Sequence, residues 1–195
     1  MLVSKGYDTD LGTMTNKKKL TTFSPEQLKV ITESAAMAEE LVSNHYKMSA
    51  NQWLRRRYDF RTLTDLTPEE IVAGPFAQII RYEGKKKDQS LGSSSYDFYK
   101  ICLQDHHILA ALADSEDLKL FPFSLYITTH ELIHIVRFSK FLCNFVASSH
   151  EKMVEEARVH EKTRIILSTV SIPDMAGVLK FYEKWRTPLD ELTLS

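Results

Sequence analysis

Cysteine is scarce in this sequence, neither sign of charge is in excess, and long apolar runs are missing. Cys102 and Cys143 are the two cysteines among 195 residues. They stand far apart with no CxxC pair, which excludes a disulfide framework and a thiolate zinc finger and suits a reducing compartment. Lys and Arg number 25 against 26 Asp and Glu, a net charge of -1, so no broad field draws the chain to nucleic acid or an acidic membrane. No stretch approaches the ~18 apolar residues of a membrane span, and the opening MLVSKGYDTD lacks the apolar centre of a secretory leader. The expectation is a cytoplasmic protein with no nucleic-acid or membrane partner. Oligomeric state is not legible.

What is present is the composition of a globular chain, 43% hydrophobic and 26% charged, enough for one core. Residues 1–22, with Gly6, Gly12 and Lys17 to Lys19, carry no period and read as a flexible tail. Ser24-Pro25-Glu26-Gln27 is a capping box, and Leu28, Ile31, Ala35, Ala38 and Leu41 follow at helical spacing to about Lys47. A second helix is expected over Asn51 to Tyr58, and Thr67-Pro68-Glu69-Glu70 opens a short third. Residues 23–75 therefore read as a helical N-terminal part, ended by Gly74-Pro75.

Residues 76–195 read as a separate core. Phe76 to Tyr82, Tyr96 to Leu103 and Ile108 to Ala113 are rich in Ile, Tyr and Phe and predict a small antiparallel meander. Beyond Phe121-Pro122 a long apolar helix is expected to about Cys143 or Phe145. Ser148-Ser149 caps another to about Val170, and Pro173-Asp174 starts a last one through Trp185. The fold class is α+β.

The chemistry stands inside the long helix, as His130-Glu131-Leu132-Ile133-His134. At 3.6 residues per turn both histidines project from one face, where two imidazole nitrogens can hold one zinc ion at about 2.0–2.1 Å. Glu131 is rotated by ~100° from His130, beside such an ion but not on it, where a carboxylate can take a proton from water.

This HExxH segment resembles the zincin metallopeptidases. Their longer signature asks for uncharged residues around the pair and an apolar one after the second histidine, and Ile127 to Val136 meets every position. The resemblance covers roughly residues 76 to 168 and implies a zincin-like core of small sheet, motif helix and ligand helix, acting on a peptide or protein substrate. The metzincin continuation with a third histidine is missing. In gluzincins a glutamate on the following helix completes the site, and Glu151, Glu155, Glu156 and His160 are the available groups. With Met153 at 0° and ~100° per residue, Glu156 and His160 fall on the apolar face while Glu151 and Glu155 fall among charged residues and read as solvated. A hairpin of the two helices turning near Val146 brings Glu156 level with Val136 and His160 level with Leu132. Glu156 is the expected third ligand, with His160 supporting or replacing it. His160 departs from the gluzincin pattern, which has a carboxylate four residues after the ligand glutamate.

The reading is a zinc-dependent metallopeptidase with Glu131 as general base. A competing reading is a non-catalytic metal-binding or assembly protein, in which His130, His134, Glu156 and His160 all bind and close the site. A bundle metalloprotein built on Glu131-Leu132-Ile133-His134 needs a second Glu-x-x-His, but position 157 is alanine. Tyr126, Tyr182 and His107 could donate to a developing oxyanion, but each reads first as an ordinary structural residue. His106-His107 reads as a solvent-facing turn, and Arg55 to Arg57 and Lys85 to Lys87 as exposed runs.

Overall fold

A computed structural model describes residues 20–49, 58–85, 95–140, 142–143 and 147–183. Residues 1–19 of the expected tail, residues 51–57 of the expected second helix, the Arg55 to Arg57 run, residues 86 and 87 and Trp185 lie outside them, while Tyr58, the last residue of that expected helix, is in a strand.

Helix α1 (Pro25–Tyr46) begins as the capping box requires: the Ser24 hydroxyl accepts the Gln27 N–H at 3.2 Å and the Gln27 side chain accepts the Ser24 N–H at 2.8 Å. It ends where Lys47 turns left-handed at φ 55°. Its buried face, Ile31, Ser34, Ala38, Leu41 and Val42, packs along the motif helix. Ser34 and Ser124 hydroxyls meet there at 2.9 Å, small enough to let the two helices approach closely.

The sheet is mixed, a difference from the antiparallel meander. Strands β2 (Ala77–Lys85) and β3 (Ser95–Leu103) pair antiparallel, with Ile79 opposite Ile101 on the buried face. The third strand is β1 (Tyr58–Arg61), which joins the other edge of β3 in parallel and gives the order β1-β3-β2. Residues 23–75 thus contribute a strand as well as a helix. Four residues show no usable alternation, and parallel pairing depends on a distant partner, so periodicity could not reveal it.

Ile108 to Ala113, expected as the third strand, is instead the middle of helix α2 (Asp105–Asp114). The run LAALA is good helix former, and its N-terminal residue explains the site. Asp105 is fully buried, and its carboxylate accepts the N–H of Phe23 at 3.1 Å and of Leu63 at 2.9 Å. One side chain thereby ties the entry to α1 and the segment after β1 to the start of α2.

Helix α3 (Leu120–Ser139) carries the motif, and every residue from Pro122 to Phe138 is buried. A helix apolar on all sides belongs at the centre of a fold, and here α1, α4, α5 and β2 surround it. It stops earlier than expected, because the Leu142 N–H turns back onto the Arg137 carbonyl at 2.9 Å. Helix α4 (Ser149–Leu167) starts with the Ser148 capping box, and α5 (Met175–Glu183) completes the wall. At Gly177 of α5 a Cβ would stand 2.2 Å from the Asp117 carbonyl oxygen, so glycine permits the contact that seats α5. Among the described residues no helix is long and apolar enough to cross a membrane.

Candidate metal centre

His130 and His134 stand one turn apart on α3, and both turn Nε2 toward the same point. The two Nε2 atoms are 3.2 Å apart. Across from them Glu156 of α4 places one carboxylate oxygen 3.2 Å from His130 Nε2 and the other 3.4 Å from His134 Nε2. These three residues are the one group among the described residues whose donor atoms converge closely enough to hold a metal ion.

The spacing fits the chemistry of the donor set. Two donors each at about 2.05 Å from a tetrahedral zinc ion are separated by about 3.3 Å, as follows from the bond length and the tetrahedral angle. The N, N, O set is also one that zinc accepts. His130, Glu131 and His134 are buried, and Glu156 lies half-buried at the edge of the cluster.

The three donor side chains shift one another's protonation. Burial pushes the His130 imidazole down to about 3, so it stays neutral. Burial also opposes the charged form of His134, but the Glu156 carboxylate outweighs it and raises that imidazole above its ordinary range. Glu156 itself, against a burial effect of opposite sign, is held far below the usual carboxylate range by His134 and His130. A metal ion bound here would compete with protons for the same imidazole nitrogens.

Among the described residues, the Nδ1 atoms of both histidines are buried with no hydrogen-bond partner, as are the Thr128 and Thr129 hydroxyls on the same helix. Each such orphan costs about 1–3 kcal/mol. Ring orientation thus comes from packing: His134 stacks on Phe138, with centroids 5.9 Å apart, and His130 lies 4.4 Å from the His160 ring.

His160 is not a member of the converging donor group. Its Nδ1 is bonded to the Tyr126 hydroxyl at 2.9 Å, and Tyr126 stacks on Tyr182 at 4.0 Å. The Tyr126 hydroxyl, considered as an oxyanion donor, is thus engaged with His160, and Tyr182 is a buried wall residue. His107 is neither a donor at the centre nor freely solvent-facing. Its Nε2 lies 3.1 Å from both the Val72 carbonyl and the Gly74 N–H, where it braces the loop before β2.

Glu131 points where the helix geometry placed it, into a cleft of about 210 Å³ whose walls include His130, Glu156, His160, Phe76 and Tyr182. Burial raises its carboxyl above the ordinary value. It makes no hydrogen bond with another described residue. His134 lies deeper and does not line the cleft.

Glu155 is the clear correction. Rather than solvated, it is buried and makes a two-pronged pair with Arg137 of α3, through Arg137 Nε and, at 2.9 Å, through Nη2. The buried face of α4 runs through Glu155, Val159, Thr163, Ile166 and Leu167. Met153, taken as its centre, is 53% exposed. Glu156 and His160 sit at the edge of that face, which is why they reach the cleft; Glu151 is exposed and serves the Ser148 cap. Arg137–Glu155 is the neighbouring feature that periodicity missed, and the signal available was Arg137 itself, a cation on an otherwise apolar helix.

No known family model matches the chain, and neither the curated proteins nor the solved structures give a match to it.

Proposed function

We propose that the protein is a zinc-dependent peptidase whose metal is held by His130, His134 and Glu156 and whose general base is Glu131. The observation that carries this reading is the junction of two features: three converging donors, and beside them in the same cleft a buried carboxylate that bonds to no other described residue. The zincin resemblance of the motif supports it, as does the order of sheet, motif helix and glutamate-bearing helix. A zinc ion held there would acidify water and polarise a peptide carbonyl.

The chain's own residues supply the rest. Glu131 accepts the proton of the attacking water and returns it to the leaving amine; its burial moves its affinity for protons toward the working range of a base. Tyr126 occupies His160 Nδ1, so Nε2 is the ring atom left for a substrate in the cleft, suited to donate to the developing negative oxygen. Strand β2 is an edge of the sheet and Phe76 and Ala77, at its start, line the cleft, so an extended peptide there would run beside it.

The non-catalytic alternative needs a fourth protein donor to close the site. Among the described residues, His160, whose ring packs against His130, stands outside the converging set.

The test uses the full chain loaded with one equivalent of zinc and a mixed peptide library read by mass spectrometry. Glu131→Gln is expected to keep its zinc and lose hydrolysis by at least ~10²-fold. Full hydrolysis by that variant would remove Glu131 from the role of base.

A further inference from the structure

Beside the cleft of the metal centre lies a second cavity, of about 340 Å³. The two share His160 and Tyr182 as walls, so a group bound in one lies one side chain away from a group in the other. The second cavity carries Arg164 of α4 and Lys180 of α5, with Glu183 as the single carboxylate among its lining residues. Arg164 is held in place by Glu161, which accepts its Nε–H at 3.2 Å and an Nη2–H at 2.7 Å, leaving Nη1 outside that pair. Tyr126 and Leu179 add apolar wall for a hydrocarbon stem.

We propose that this cavity is a carboxylate-binding subsite, in which Arg164 and Lys180 take an acidic group of a substrate whose scissile bond lies at the metal centre. The substrate class is a peptide with a carboxylate close to the cleaved bond, as an acidic side chain or as the chain terminus. As a statement about substrate this rests on the peptidase reading; as a binding site it stands on the cavity alone. Two cations from different helices line it, and a guanidinium oriented by Glu161, with Nη1 outside that pair, is suited to a carboxylate. Glu183 opposes that charge and sets the affinity from the other side.

The experiment is an NMR titration of the metal-free full chain, following the backbone amide signals of Leu179 and Tyr182, which line the cavity and are kept in every variant. The probes are N-acetyl-glutamate amide, with a side-chain acid; N-acetyl-glutamine, with a terminal acid; and N-acetyl-glutamine amide, with neither. At least one acid is expected to bind about tenfold more tightly than the neutral amide, and whichever binds identifies the source of the carboxylate. Arg164→Gln with Lys180→Gln is expected to abolish that preference, and Glu183→Gln to enlarge it. Equal binding of all three probes, or an unchanged preference in the double variant, overturns the proposal. Zinc stoichiometry and peptide hydrolysis of the same double variant are measured separately. They report on the peptidase reading, whose failure leaves the titration result standing.

Discussion

Two sets of charged and ionisable groups bridge the same pair of helices, α3 and α4, and they differ in kind. Toward one end, Arg137 and Glu155 satisfy one another through two parallel bonds, and Arg158 adds a further contact to Glu155 at 3.2 Å. Immediately beside it, one to two turns back along α3 and at the residue after Glu155, His130, His134 and Glu156 crowd their donor atoms to 3.2–3.4 Å around one point. The first set is complete and faces no cavity among those described; the second opens on a cleft containing Glu131. A buried charge pair closed by two parallel bonds is part of the frame, whereas three donors that converge on one point beside a cleft describe a place for an ion.

The largest effect should come from breaking the complete set. Glu155→Ala leaves Arg137 buried and unpaired and should cost about 3–5 kcal/mol of stability in urea denaturation. Next in size is the response of the incomplete set to zinc. At a hundredfold excess over its dissociation constant, the ion should stabilise the fold by about 2.7 kcal/mol, and a chelator should reverse the gain. Glu155→Ala should retain a zinc response if it still folds; loss of that response in a folded variant would show that the two sets are not separable.

The acid limb of stability sharpens the contrast further. Burial would raise Glu155, but Arg137 outweighs it and holds the carboxyl below its ordinary value of 4.5. The stability it contributes is therefore complete above that value and is lost as pH falls through the lower, folded one. Replacing both partners, as Arg137→Met with Glu155→Leu, should flatten this acid limb, measured by denaturation from pH 6 to pH 3. At neutral pH the same double variant should show the smallest change of all, near neutral, because no charge is left stranded. A double variant as unstable as Glu155→Ala would contradict the account of the pair.

Much of this contrast was legible in the sequence, but unevenly. The motif helix, the Ser24 and Ser148 caps and the choice of Glu156 follow from local spacing, which the chain obeys because capping and helical period act over a few residues. The turn symmetry was also readable: Arg137 and Glu155 lie equally far from position 146, where the hairpin was expected to reverse. Glu155 was misplaced because an amphipathic wheel treats methionine as inward and carboxylate as outward. Met153 is exposed, and Glu155 is buried by a partner on another helix. Long-range pairing explains the other misses too. Strand β1 exists because β3 offers an edge, and α2 replaces a strand because buried Asp105 anchors its start.

The most direct measurement is the metal content of the purified chain after incubation with zinc and removal of the excess. One zinc per chain is expected for the parent and for Glu131→Gln, with loss of the ion in His134→Ala despite a folded circular-dichroism spectrum. A parent that retains no zinc, or a folded His134→Ala that keeps it, would contradict the claim that these imidazoles and Glu156 form a metal centre.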